Sequence, residues 1–214
     1  MRRVTPILYS LVLVGLLVFT PAAGVRGDVH SEKSPRREWQ ELSKGRAVFE
    51  VSDPASVPSS LADAAEQSGC RYKDDVKEIP IRFVSIGNYF RLAIVFCRFT
   101  VTGSHQIYDF SSGSSKQKPR VIELPVATRP EGFRSTSTPG MITWNSESGT
   151  LEAESRSDLC SDPGGRHTYR FLDHTGFVLT RVEVTPTSCG LPSEWTTIWQ
   201  SSQWSIPSDA RDAQ

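Results

Sequence analysis

Apolar residues in this chain fall mostly into short alternating runs, and the strongest run is apolar on both sides. From Tyr89 to Val101, Phe90, Leu92, Ile94 and Phe96 lie on one side of an extended segment, and Ala93, Val95, Cys97 and Phe99 on the other. Such a strand is buried on both faces, so it is expected at the centre of a sheet. Its β-branched and aromatic content favours a strand over a buried helix. Further short strands are read at Ile81–Val84, His105–Phe110, Arg120–Val126, Met141–Asn145, Thr150–Ser155, His167–Leu172 and Gly176–Val184, with Glu194–Trp204 as the last. Turns are read at Gly87-Asn88, Ser111–Gln117, Glu147-Ser148-Gly149 and Asp173-His174-Thr175-Gly176. Residues 128–139 read as an irregular connection. Helix character is confined to the segment from Ser60, a cap, through Asp63, which suits the helix dipole, to Gly69, which closes the helix in a left-handed conformation. The expected fold is all-β, mostly an antiparallel meander. It comprises two loosely similar four-strand units, arranged as a sandwich or like a propeller, with one short N-terminal helix.

The ends of the chain follow other rules. Arg2 and Arg3 precede an apolar run from Ile7 to Phe19, which is followed by Pro21, Ala22, Ala23 and Gly24. This order is that of a secretory signal peptide over residues 1–27, cleaved after Gly24 or Gly27. The run is too short to span a bilayer, which takes about 20 residues. No later stretch is long and apolar enough for membrane insertion. Residues 28–58 are polar and of mixed charge, and read as an exposed, flexible leader with one docking strand at Ala47–Val51. Residues 59–204 form the expected disulfide-linked β domain, and 205–214, with Pro207, a fraying tail.

The chain has 24 basic and 24 acidic side chains. A balanced chain has no electrostatic footprint for nucleic acid or an anionic membrane. Export changes the meaning of the four cysteines, Cys70, Cys97, Cys160 and Cys189, because in an oxidising compartment they pair. The expected pairs are Cys70 with Cys97 and Cys160 with Cys189, each nearest in sequence and within its own unit. No C-x-x-C spacing points to thioredoxin-type redox chemistry or to zinc.

Other chemistry is sparse. His30 lies in the leader, and His105, His167 and His174 in the β region; His167 or His174 could join Asp158 or Asp162 and a serine in a triad on paper, but no G-x-S-x-G elbow is present. The histidines read as strand-end residues facing water. Asp158, Asp162, Gly164 and Gly165 are too poor in acids for a calcium loop and read as a turn tied by Cys160. Nothing fixes a separation for Asp109 and Glu123 as a carboxylate pair. No catalytic residue, metal or cofactor is assigned. The aromatics are the candidate binding residues: Trp144, Tyr169, Trp195 and Trp199. Trp195 and Trp199 are an even number of residues apart and would share one face of a strand. Core packing is expected for them, and the rival reading is a stacking shelf for sugar rings or a partner protein.

The second half carries a resemblance. Ile142-Thr143-Trp144-Asn145 leads to Ser148-Gly149-Thr150-Leu151, then Cys160, Tyr169-Arg170-Phe171, Gly176-Phe177-Val178-Leu179, Cys189 and Glu194-Trp195-Thr196-Thr197-Ile198-Trp199. This order resembles a family of exported bacterial proteins catalogued as domain of unknown function eleven-seventy-six. Its members have a Trp–Asp/Asn turn, G-x-L, a cysteine before an aromatic strand, F-x-L, a second cysteine and a W-x-x-x-W ending. Phe96-Cys97-Arg98 and Tyr108-Asp109-Phe110 match the family's earlier segments more loosely. The likeness spans roughly residues 60–204 and departs at Ser155-Arg156-Ser157-Asp158-Leu159, where the family is Gly-rich. It implies an exported, periplasmic, cysteine-bearing β protein and no established activity. The expected function is therefore non-enzymatic: an envelope domain that binds a protein or glycan, or supports the envelope. The rivals are a periplasmic hydrolase of envelope polymers and an inhibitor of a lytic enzyme.

Overall fold

The computed structural model describes residues 33–99, 103–114, 117–128, 132–156, 163–173, 175–187 and 194–201. Two helices come first, α1 (Pro35–Ser43) and α2 (Ser59–Gln67), with strand β1 (Val48–Val51) and a 3-10 turn (Pro54–Ser56) between them. The strands that follow are β2 (Ile81–Ile86), β3 (Phe90–Arg98), β4 (Gly103–Asp109), β5 (Arg120–Ile122), β6 (Leu124–Thr128) and β7 (Gly132–Thr136). The last five are β8 (Met141–Asn145), β9 (Thr150–Ser155), β10 (Gly164–Leu172), β11 (Gly176–Thr185) and β12 (Thr196–Gln200). Among the described residues no helix is long and apolar enough to cross a membrane.

The strands form two five-stranded meanders, β1-β2-β3-β4-β5 and β12-β11-β10-β9-β8, and a two-stranded ribbon, β6-β7. Every pairing is antiparallel, between strands joined in sequence. The central strand of the first sheet is β3, as its two apolar faces require. Ala93, Val95 and Cys97 enter one core with Trp39 of α1 and Leu61, Ala64 and Ala65 of α2. Leu92 and Ile94 enter a second core, which also takes Ile107, Ile142, Leu151, Tyr169, Leu179 and Val182. The second sheet therefore packs on one face of the first sheet, and the helices cover the other. Of the two expected arrangements, this is the sandwich.

The region expected as a leader differs most. Ser34 caps α1 by accepting from Arg37 N at 3.4 Å, and Pro35 follows at the first turn, where a missing N–H costs nothing. Trp39 is then buried, at 3% exposure. A second helix is thus present, and packed structure begins at Pro35, well before residue 59. The cap of α2 also differs. Pro58, not Ser60, occupies the N-cap, and it has no side chain to offer. The acceptor comes from α1: the Glu38 carboxylate receives Ser59 Oγ at 2.8 Å, Ser60 N at 3.4 Å and Ser60 Oγ. Gly69 follows α2 at φ +73°, closing the helix as expected. Replacing Glu38 with Ala should cost about 1–3 kcal/mol in a urea melt, because a buried cap and three hydrogen bonds are lost. Glu38→Gln, which keeps an acceptor, should cost less.

The expected strand Arg120–Val126 breaks at Glu123, so that β5 stays in the first sheet while β6 turns into the ribbon. Pro125 cannot donate to a ladder, which suits it to a two-stranded ribbon with free edges. The connection expected over 128–139 contains the ribbon's other strand, β7. Cys70 and Cys97 are bonded, with Cα atoms 4.8 Å apart, joining the end of α2 to β3. The pair expected between Cys160 and Cys189 lies outside the described residues, as do the signal segment 1–27 and the tail 205–214.

Candidate functional site

The four candidate aromatics do not form one shelf. Tyr169 is fully buried between the sheets, and its hydroxyl donates to Pro125 O at 2.9 Å. Burial pushes its ionisation well above the ordinary tyrosine value. Trp144 is half-buried on β8, edge-on to Phe177 at 6.4 Å, and its Nε1 is buried without a partner. Trp195 and Trp199, expected on one face, lie on opposite faces of the second sheet. Trp199 pairs with Val182, a residue of the inter-sheet core. Trp195 lies under the Arg166 guanidinium at 4.1 Å, and Arg166 is on the outer face, opposite Glu154 and Glu183. The reason is a bulge: Val182 pairs with Trp199 and Glu183 with Thr197, so Ile198 is skipped. One extra residue turns an even spacing into an odd one.

Neither tryptophan is core in the expected sense. Trp199 is 36% exposed and packs edge-on against Phe133 at 5.5 Å. Phe133, on β7, is 55% exposed. These two rings make an exposed aromatic patch where the ribbon meets the edge strand β12. Sequence reasoning missed Phe133 because its strand lay in a segment read as irregular.

The two histidines among the described residues, His105 and His167, do not face water as expected. His105 on β4 is buried at 8% exposure, and its Nδ1 accepts the backbone N–H of Ile142 on β8 at 2.9 Å. His167 on β10 is buried at 4% exposure, and its Nε2 accepts the N–H of Ala127 on β6 at 2.9 Å. Burial, with the nearby Arg82 charge, moves the pKa of His105 down to about 4. Burial lowers that of His167 too. A ring held neutral with its lone pair on an amide is a structural acceptor. Its signal in the sequence was alternation with core residues: His105 with Ile107, and His167 with Tyr169.

The structure does not bring the two carboxylates, Asp109 and Glu123, together as a pair with assigned roles. Asp109 Oδ1 accepts Ser111 N at 2.8 Å in a local turn, and Glu123 is exposed at the break between β5 and β6. His30, His174, Asp158 and Asp162 lie outside the described residues. Among the described residues no group of His, Cys, Asp and Glu side chains could hold a metal ion.

A groove of about 450 Å³ opens where β4 meets β8, lined by Phe99, Ser104, Thr138, Met141, Glu154 and Arg156. Gly140 sits in its wall at φ +115°, where a Cβ would collide with the Glu154 backbone carbonyl, so only glycine fits. Its charges are turned to each other. Glu154 Oε1 accepts from Arg156 at 2.6 Å and Oε2 from Arg166 at 3.2 Å.

Fold and surface together define a disulfide-bearing β-sandwich with a helical cover and an exposed aromatic patch at one edge. No family model, curated protein or solved structure matches the chain.

Proposed function

We propose that this chain is an exported bacterial envelope protein that acts by binding, and that it takes a glycan or protein of the envelope on the Phe133–Trp199 patch. The observation that carries the reading is the exposure of those two packed rings, when among the described residues the Trp39–Phe49–Phe83–Phe110 cluster is buried and the Phe90–Phe171–Phe177–Trp144 cluster is half-buried. Aromatic faces of this kind stack on sugar rings and anchor protein partners. The occupied histidines support binding over hydrolysis, since a ring whose lone pair is taken by an amide is a poor general base. Export is supported by the order of residues 1–27 and by the buried Cys70–Cys97 bond. The resemblance to the exported family points the same way.

The test has two arms. Fractionation with intact-mass analysis should find a soluble periplasmic chain that begins at Val25 or Asp28. Isolated peptidoglycan sacculi and an immobilised envelope-protein extract should each be offered to the protein and to a Phe133→Ala/Trp199→Ala variant. The variant should stay folded, destabilised by about 1–2 kcal/mol through loss of the ring pair, and should lose binding to whichever probe the parent retains. Unchanged binding by the variant would move the site elsewhere, and turnover of sacculi by the parent would favour the hydrolase reading.

A further inference from the structure

The two buried histidines share an arrangement that packing alone does not require. Each lies in the layer between the sheets, and each supplies a ring nitrogen to a backbone N–H of a different element. His105 joins the first sheet to the second, through Ile142. His167 joins the second sheet to the ribbon, through Ala127. The first of these seams is reinforced by His105 N donating to Gly140 O at 2.9 Å and by Ser104 Oγ accepting Gly140 N at 2.9 Å.

We propose that His105 and His167 form an acid latch: protonation of the two imidazoles removes the acceptors that hold the second sheet to the first sheet and to the ribbon, and the second sheet loosens while the helix-covered half stays folded. A protonated imidazole has donors on both nitrogens and no acceptor. Each ring would then point an N–H at an amide N–H while carrying a charge in an apolar layer. Few neighbouring groups could offset that charge. From β2, Arg82 acts on His105 with a charge of the same sign. From β3, His105 meets the neutral ring of Phe96 at 5.6 Å, and from β8 it meets only backbone. His167 lies beside the neutral Tyr169 ring at 6.4 Å. The backbone of Gly140 at His105 and of Ala127 at His167 favours the protonated ring, but burial outweighs it at both. Among the described residues no carboxylate acts on either ring.

The sign follows from the direction of both shifts. A histidine whose folded value lies below the ordinary one of about 6.5 stabilises the fold fully above that pH. That stabilisation is lost as the pH falls from about 6.5 towards 4, the folded value of His105. The two halves differ because both histidines among the described residues lie between the sheets, while the core under the helices is tied by Cys70–Cys97.

Hydrogen exchange of the protein at pH 7.5 and 4.5, corrected for intrinsic rates, tests the latch. Protection of the Ile142 and Ala127 amides should fall on the order of 100-fold. The β2–β3 amides should keep theirs. In a His105→Asn/His167→Gln variant, side-chain oxygens replace the ring acceptors without titrating, so protection at the two seams should change less than about 3-fold. Equal loss in the variant would overturn the latch, as would simultaneous loss at β2–β3. Imidazole Cε1–H titration of the unmodified protein gives a second reading if the variant folds poorly. Titration of both rings near 6.5 without loss of seam protection would also overturn it.

Discussion

Trp39→Ala should destabilise the protein by about 3–5 kcal/mol, the usual cost of removing a buried tryptophan. That is a large share of the total stability of a domain, which is about 5–15 kcal/mol. The ring is edge-on to Phe49 at 5.2 Å and to Phe83 at 5.5 Å, with Phe110 at 6.2 Å, so it is the hub of an aromatic cluster between α1 and the first sheet. Its removal leaves a cavity that two sheet strands and a short helix cannot close. Trp199→Ala, at a partly exposed edge where the Phe133 contact is lost, should cost less, about 1–2 kcal/mol. Urea melts of the two variants check both values. A leader that merely trails from the domain would give the opposite order.

The second large effect concerns Cys70–Cys97. The bond closes a loop with a sequence separation of 27, which in the chain-entropy account stabilises the fold by about 3.5 kcal/mol. Its position adds to the effect, because it fixes the C-terminal end of α2 to the central strand β3 and so holds the helical cover on the sheet. The Cys70→Ala/Cys97→Ala variant should therefore lose about that much in a urea melt. Non-reducing peptide mapping of the parent should recover residues 70 and 97 in one linked species. A peptide joining Cys97 to Cys160 would overturn the pairing.

Several features are legible in the sequence. The two apolar faces of Phe90–Phe99 placed β3 at the centre of a sheet, because a strand that is apolar on both sides has nowhere else to go. Turn residues set most hairpins, and neighbours in sequence became neighbours in the sheet. The first-half cysteine pair followed from adjacency alone. Helix α1 is not read from the sequence: its Ser34-Pro35 start and the spacing of Trp39 and Leu42 lie among polar flanks, in a segment that reads as leader.

Other features were decided only in three dimensions. A carboxylate on one helix caps another, so Ser60 was freed from the role its position suggested. A bulge at Ile198 separated two tryptophans that strict alternation would have aligned. Two histidines went inward because amides from other strands met their lone pairs. Local patterning therefore determined which segments became strands and where they turned, since those choices depend on a residue and its near neighbours. Tertiary packing decided which polar groups are buried and which aromatics stay exposed, because these depend on partners that no spacing along the chain encodes.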